Sequence, residues 1–237
     1  MLNIAIIGIT GKMGQTLAKL IINDPNMQLT AGITSPTSPF LEKDIGSFLF
    51  LNKLNIDIKD HIQDEPIDVI IDFSLPSALD MILKANKPCV IGTTGYSKDD
   101  LNKIKQKATE IPIFHTPNFS FGDAVLKKLS KEAAILLKDA DIDIIEAHHI
   151  EKKDKPSGTA ALLKNTLEKV TKKKISIHSI RAGKIIEENK ILFNTPEDKL
   201  EIYYQANTRD VFAKGAIKAA NFIINKPAGL YCMENLL

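Results

Sequence analysis

The sequence predicts an α/β protein, a doubly wound parallel sheet joined to a smaller α+β domain with a mixed sheet of about four strands. Three observations carry this. The apolar run Leu2–Ile7 ends in a glycine-rich turn and leads into a helix striped with Leu17, Leu20 and Ile21. Up to residue 119, apolar runs that fit buried strands alternate with helical patterns, which is the order of βαβ units. From Ile175 to Ala206, three strand-like segments follow one another with no helix between them.

Composition narrows the class. The chain has 237 residues, 44% of them hydrophobic and 25% charged, and a formal net charge of +2. These are ordinary globular values, and so small a charge recruits neither nucleic acid nor a membrane surface. No stretch approaches the roughly 20 apolar residues of a membrane span. The start of the chain has no basic segment before its first apolar run, so a secretory leader is not expected and a cytoplasmic location is. Cys89 and Cys232 have no metal-like spacing and suit free thiols in a reducing compartment. No metal is expected. Only two of the 31 basic residues, Arg181 and Arg209, are arginine, so a planar five-donor fork is needed at two places at most.

The elements of the first half follow in order. Leu2–Ile7 runs into Gly8-Ile9-Thr10-Gly11-Lys12-Met13-Gly14, a Gly-x-x-Gly-x-x-Gly turn between a strand and a helix. That context makes the sheet Rossmann-like: glycines let the backbone approach a pyrophosphate, and the helix N-terminus offers it N–H donors. Gln28–Ile33 is the second strand. The acid that usually reads a ribose 2′-hydroxyl at its end is missing, and Thr34 and Ser35 stand there. Residues 36–66 carry no assignable period. Ile67–Phe73 is a buried strand, and Ser74-Leu-Pro-Ser opens a helix to about Lys84. Cys89–Gly92, a polar helix over Lys98–Thr109, and Ile111–His115 complete the alternation. Ligands of such sheets bind beyond the carboxyl ends of the strands, where the loops at Gly8, Ser74, Gly92 and Thr116 lie.

The second half begins with a helix over Phe121–Leu137 and a strand over Ile142–His148. Strand-like segments follow at Ile175–Arg181, Lys184–Phe193 and Lys199–Ala206, with a hairpin turn near Thr195–Asp198. An amphipathic helix over Asp210–Ile224 ends before Pro227. The densest chemistry lies in Glu146–Thr159, between the Ile142 strand and a helix over Ala160–Val170. It carries His148, His149, Lys152, Lys153, Asp154 and Lys155. Ser157 is a plausible N-cap, and the amides of Gly158 and Thr159 behind it suit an anion. Cations, imidazoles and a helix N-terminus in one loop describe a site for a small anionic substrate. A His-His pair, a lysine cluster or a cap is each, alone, more often surface or turn chemistry.

Glu-Ala-His-His, a lysine three positions on, and Asp-x-Pro-Ser-Gly-Thr-Ala closely resemble the signature of the 4-hydroxy-tetrahydrodipicolinate reductase (dihydrodipicolinate reductase) family. Thr208–Ala216 and Gly229–Leu237 resemble it too. The resemblance implies a dinucleotide-binding domain of residues 1–119 and 212–237, and a substrate-binding and oligomerisation domain of residues 120–211. It implies reduction of (2S,4S)-4-hydroxy-2,3,4,5-tetrahydrodipicolinate, a cyclic dicarboxylate, by NADPH or NADH on the diaminopimelate route to lysine. His148 becomes the general acid and Lys152 its partner, with His149, Ser157, Gly158 and Thr159 on the substrate carboxylates. Gly8–Met13, Thr34 and Ser35, Gly92-Thr93-Thr94 and Thr116-Pro117-Asn118-Phe119 become the cofactor contacts. It further implies a homotetramer formed through the second domain's sheet. Lys155, where the family usually has Ala, and a short Thr171-Lys-Lys-Lys before Ile175, where it has a longer loop, depart from the pattern.

The neutral Thr34 and Ser35, with Lys12 at a basic position that in the family can reach the adenosine phosphate, lead to an expectation of both cofactors with a mild NADPH preference, of order tenfold. Two other functions remain open on the residues alone. Another nicotinamide-dependent amino-acid or semialdehyde dehydrogenase would share the first domain but leave the His-His-x-x-Lys loop unexplained. A non-catalytic NAD(P)-sensing module would need no such loop.

Overall fold

The structure is a computed structural model that describes residues 1–62 and 65–237. In chain order the elements are β1 (Leu2–Ile7), α1 (Lys12–Ile22), β2 (Met27–Ile33), α2 (Ile45–Phe48), β3 (Ile58–Lys59), β4 (Val69–Asp72), α3 (Leu79–Lys84), β5 (Cys89–Ile91), α4 (Lys98–Lys107) and β6 (Pro112–His115). They continue with α5 (Phe121–Leu136), β7 (Asp141–His148), α6 (Gly158–Leu167), β8 (Ile175–Arg181), β9 (Glu187–Asn194), β10 (Lys199–Ala206), α7 (Asp210–Ile223) and β11 (Gly229–Tyr231). Single 3₁₀ turns stand at Pro76–Ala78 and Met233–Leu236.

The chain divides into two compact units, one of Met1–Phe119 with Ala213–Leu236 and one of Ser120–Phe212 with Leu237. The first holds a seven-stranded sheet in the order β11-β6-β5-β4-β1-β2-β3. Every pairing in it is parallel. Strand order reverses across β1, with β2 on one side and β4 on the other, and such a reversal opens a crevice at the carboxyl ends. The strands are buried on both faces, which is why they read as continuous apolar runs.

The second unit holds a four-stranded mixed sheet, β10-β9-β7-β8, antiparallel except between β7 and β8. Burial alternates along β9, with Glu187, Asn189, Ile191 and Phe193 inward. That inner face packs with α5 and α6 in one core with Ile142, Ile144, Leu126 and Leu163. The opposite face is partly open, and Ile180 and Tyr203 are about half exposed on it.

The unassigned stretch 36–66 is organised by one side chain among its described residues; Gln63 and Asp64 lie outside them. The Asp44 carboxylate accepts from the amides of Ser47 at 2.8 Å, Leu54 at 3.1 Å and Ile56 at 3.3 Å. Backbone pairs from Ile45 to Ile56 and from Ile58 to Lys43 close the excursion. Among the boundaries that shift from expectation, two have a local cause. α6 starts at Gly158 and ends at Leu167, not Ala160 and Val170, because Ser157 is the cap. β9 starts at Glu187, not Lys184, because Gly183 turns with φ +49°. β11, three residues long, was not expected.

Helix α7 seats on the first unit through small residues. A Cβ on Gly215 would lie 1.7 Å from the Phe119 carbonyl oxygen. Gly to Ala in an open helix gains about 1 kcal/mol, but overpacking against fixed backbone costs about 1–3 kcal/mol or more. The clash wins here. Gly215→Ala is expected to lose about 2 kcal/mol, which thermal unfolding would register as a fall of roughly 4–8 °C in a chain of this size. An unchanged or raised Tm would contradict this packing.

Candidate active site

In the first unit, β1 ends at Ile7 and the chain turns at Gly8 with φ +85°. A Cβ there would lie 2.4 Å from the Phe73 carbonyl oxygen, so both the dihedral and the space require glycine. The amides of Gly8 and Ile9 donate to the Ile33 carbonyl at 2.8 and 3.0 Å, and that of Gly11 donates to the Gly8 carbonyl at 3.0 Å. Helix α1 then opens behind Gly11 with no side chain capping it. A Cβ on Gly14 would come within 2.1 Å of the Gly8 carbonyl oxygen, so the helix lies directly on the turn. Uncapped first-turn amides at a helix N-terminus, approached over side-chain-free backbone, fit a pyrophosphate.

A cleft of about 460 Å³ opens in front of this turn. Of the expected cofactor contacts, Gly8, Thr10, Gly11, Thr34 and Ser35 line it, and the Thr10 and Thr34 hydroxyls bond each other at 2.7 Å. Ile9 is fully buried with its amide committed to Ile33, and Lys12 and Met13 do not belong to the lining. One lining residue carried no sequence signal: Asp60, directly after β3.

The remaining expected contacts gather at the ends of β4, β5 and β6. Asp72 is fully buried, and its carboxylate accepts from the Ser74 amide at 3.1 Å, the Ser74 hydroxyl at 2.5 Å and the Tyr96 hydroxyl at 3.4 Å. Burial pushes this carboxyl up, and neutral donors do not offset it. The Thr93 hydroxyl accepts from the Ser74 amide at 2.8 Å, which ties the β5 loop to the β4 loop. A Cβ on Gly92 would strike the Phe73 ring at 2.4 Å. Thr94 is exposed. The Thr116 hydroxyl donates to the Asn118 carbonyl at 2.9 Å and shapes the turn through exposed Pro117. Phe119 is buried, its ring 5.3 Å from Phe73 and 5.9 Å from Phe114.

In the second unit, β7 carries Ile142, Ile144, Glu146 and His148 at alternating buried positions. Glu146 is fully buried. Its carboxylate meets the Arg181 guanidinium as a fork, Nη1 to Oε2 at 2.9 Å and Nη2 to Oε1 at 2.8 Å, across the parallel β7–β8 pair. The Arg181 Nη2 also donates to the Asp154 carbonyl, which fastens the loop after β7. His148 Nδ1 lies 2.6 Å from Glu146 Oε2. An ionised carboxylate only accepts, so Nδ1 carries the hydrogen and Nε2 is the position that exchanges a proton. Burial alone would raise Glu146, but the bonds from Arg181, Ser179 and His148 outweigh it and hold the carboxyl below its usual range. His148 is held below the ordinary imidazole value by burial, with the Lys152 and Arg181 charges adding to that and Glu146 opposing it.

The rest of the expected substrate site is one loop. His149 is half-buried, and its carbonyl accepts from the Lys152 amide at 3.1 Å in a turn. Lys152 Nζ pairs with Asp154 at 2.9 Å. Ser157 is buried, and its hydroxyl accepts from the Ala160 amide at 3.2 Å. Gly158 is exposed, with nothing within 4 Å of where its Cβ would stand, and Thr159 is half-buried. Lys155 is exposed. Sequence reasoning gave Glu146 and Arg181 no role. The rarity of arginine marked Arg181, and the strand alternation already put Glu146 on the face of His148. Among the described residues, no group of three or more His, Cys, Asp or Glu could hold a metal ion, and no helix is long and apolar enough to cross a membrane.

Comparison with known proteins bears on the whole chain. Residues 2–119 match the family model for the N-terminus of dihydrodipicolinate reductase, and residues 122–237 match that for its C-terminus. Two similar curated relatives are named 4-hydroxy-tetrahydrodipicolinate reductase. One, from Wigglesworthia glossinidia brevipalpis, is 40% identical over 100% of this chain and 93% of its own. The other, from Caldanaerobacter subterraneus subsp. tengcongensis, is 37% identical over 100% of this chain and 98% of its own. The solved structure of a dipicolinate-bound dihydrodipicolinate reductase from Paenisporosarcina sp. TG-14 superposes with a TM-score of 0.83 at 26% identity, covering 100% of both chains. An aspartate dehydrogenase from Thermotoga maritima, at 12% identity and a TM-score of 0.53, shares the fold alone. With both halves matched along its full length, this chain belongs to the 4-hydroxy-tetrahydrodipicolinate reductase family.

Proposed function

We propose that this chain carries out its family's reaction, NAD(P)H-dependent reduction of (2S,4S)-4-hydroxy-2,3,4,5-tetrahydrodipicolinate to (S)-2,3,4,5-tetrahydrodipicolinate in lysine biosynthesis. The observation that carries the residue assignment is the buried Glu146–His148 pair at the head of the loop whose far end is the Ser157-capped helix. Residues 1–119 and 212–237 bind the dinucleotide, and 120–211 bind the substrate. A bound nicotinamide supplies hydride at ring carbon 4.

The chain's own residues manage charge and protons. Loss of the 4-hydroxyl leaves a conjugated imine, and reduction at carbon 4 moves electron density to the imine side, which must take a proton. His148 delivers it from Nε2 while Glu146 holds Nδ1 and stabilises the imidazolium. Lys152 shares the acid role and stabilises developing charge. Its pair with Asp154 is partly exposed, and such a pair is worth under about 1 kcal/mol, so a substrate carboxylate can displace it. His149, Ser157, Gly158 and Thr159 hold the carboxylates at the start of α6. Gly8–Met13, Thr34, Ser35, Gly92–Thr94 and Thr116–Phe119 surround the cofactor. Of these, the Gly8–Gly11 turn supports the pyrophosphate, and the Asp72–Ser74–Thr93 network stiffens the nicotinamide end. A cytoplasmic location is supported by the reaction's use of reduced nicotinamide and by the absence of a disulfide between Cys89 and Cys232.

We also propose a homotetramer built on the second unit's sheet. Its face away from α5 and α6 carries Ile145, Ala147, Ile180 and Tyr203 around a shallow groove of about 500 Å³, with Glu188, Lys190 and Glu201 at its edges. Light scattering at micromolar concentration is expected to find four copies, and a stable monomer would remove this assignment.

Two measurements test the chemistry. His148→Ala and Lys152→Ala are each expected to lower kcat about 10²–10⁴-fold with nucleotide affinity nearly unchanged. Full turnover in either folded variant would refute its role. The second is the pH profile. The acid must be protonated, and His148 in the free enzyme titrates below the ordinary imidazole value, so kcat/KM should fall as pH rises through that depressed value. Glu146→Gln removes the upward pull on His148 and should move this limb to still lower pH. It also strands Arg181, at a stability cost of about 3–5 kcal/mol. A limb that stays in place in a folded Glu146→Gln enzyme would sever the link between the two residues.

A further inference from the structure

The adenosine half of the cofactor meets a cleft in which one carboxylate stands out. Asp60 follows β3, the outermost strand beyond β2, and lines the cleft shared by the Gly8–Gly11 turn and by Thr34 and Ser35. Its position is fixed by the register: the Thr34 amide donates to the Lys59 carbonyl at 2.8 Å, so the ends of β2 and β3 lie side by side. His61 Nδ1 bonds one Asp60 oxygen, Oδ1, at 2.5 Å and holds the carboxyl below its usual range. A carboxylate accepts at both oxygens, so this bond does not exhaust it.

The geometry sorts the moieties of a dinucleotide along the strand ends. Neighbouring strands are about 4.8 Å apart. A pyrophosphate on the β1 turn puts the ribose at the end of β2 and the purine one strand further out, at β3. The walls agree: Pro36, Leu75, Ala78 and Met81 give the cleft apolar surface suited to a flat base. An acceptor-only group beside a purine discriminates between bases. It takes a hydrogen bond from the 6-amino group of adenine and opposes the 6-keto group of hypoxanthine.

We propose that Asp60 reads the exocyclic amine of the cofactor's adenine and sets base specificity, standing in a different place from the missing ribose-binding acid at Thr34 and Ser35. This rests on the proposed seating of the pyrophosphate at Gly8–Gly11. It leaves untouched the expectation drawn from Lys12, which concerns the 2′ position; Lys12 itself is exposed and outside the cleft lining. Asp60 acts on the base, not on the 2′ position, so it does not choose between NADH and NADPH.

The test compares kcat/KM and nucleotide Kd for NADH, NADPH and reduced nicotinamide hypoxanthine dinucleotide, followed at the nicotinamide band. The wild type should favour NADH over the hypoxanthine analogue about tenfold, equivalent to about 1.4 kcal/mol. Asp60→Ala should bring that ratio near one, and Asp60→Asn should level or invert it, because a side-chain amide can donate to the keto oxygen. Neither variant should change the NADPH-to-NADH ratio of the wild type by more than about twofold. A wild-type ratio near one, or a ratio unchanged in both variants, overturns the proposal. So does a change confined to the NADPH-to-NADH ratio, which would put the carboxylate at the ribose. Gly11→Asp separates this from the seating on which it rests. Aspartate is a good N-cap and should keep α1 intact while its charge repels the pyrophosphate, weakening all three nucleotides at least tenfold. Normal nucleotide binding by a folded Gly11→Asp protein overturns the seating itself, whatever Asp60 does.

Discussion

The fork between Arg181 and Glu146 is the interaction on which the second unit's chemistry depends. Both side chains are out of water, and each meets the opposite charge of the other at 2.8 Å. A buried pair of this kind is weak evidence of net stability, because desolvation consumes most of the attraction. Its contribution is geometrical. It spans the parallel β7–β8 seam, anchors the following loop through the Asp154 carbonyl, and shares one carboxylate oxygen, Oε2, with His148. A lysine in place of Arg181 would supply the charge but not the two parallel bonds.

Two fully buried carboxylates show how partner type sets the direction in which a carboxyl is shifted. Asp72 meets only hydroxyls and an amide, and burial wins, so its carboxyl is pushed up. Glu146 meets a guanidinium as well, and the balance reverses. Asp72 therefore serves as a brace for the loops after β4 and β5, while Glu146 serves as a fixed charge. Equal burial says little about the role of a carboxylate until its donors are named.

Much of the architecture was legible because buried parallel strands are continuous apolar runs and the mixed sheet's strands alternate. Ile4, Ile6, Ile70 and Val90 announce the first sheet, and Ile142, Ile144, Ile191 and Phe193 the second. The loop from Glu146 to Thr159 was legible from its chemistry and its resemblance. What escaped has a physical cause. Residues around Asp44 are held by a carboxylate on backbone amides, an arrangement that leaves no period. β3 has two residues, too few for any pattern, and with β3 went the position of Asp60. Glu146 was visible in the sequence but had no partner until β8 lay beside β7.

The pairing of β11 with β6 has a consequence for synthesis. The first unit's sheet takes its last strand, and the helix that seats on Phe119, from beyond the entire second unit. A growing chain that has emitted only its first 119 residues presents β6 as a bare, apolar edge. Closing so long a loop costs little more than closing one half its length, about 0.6 kcal/mol per doubling, so the finished fold barely registers the detour. The nascent chain does, because an unpaired edge invites other strands until the C-terminal residues leave the ribosome. The faster the second unit folds, the shorter the interval in which that edge stands open before the last strand arrives.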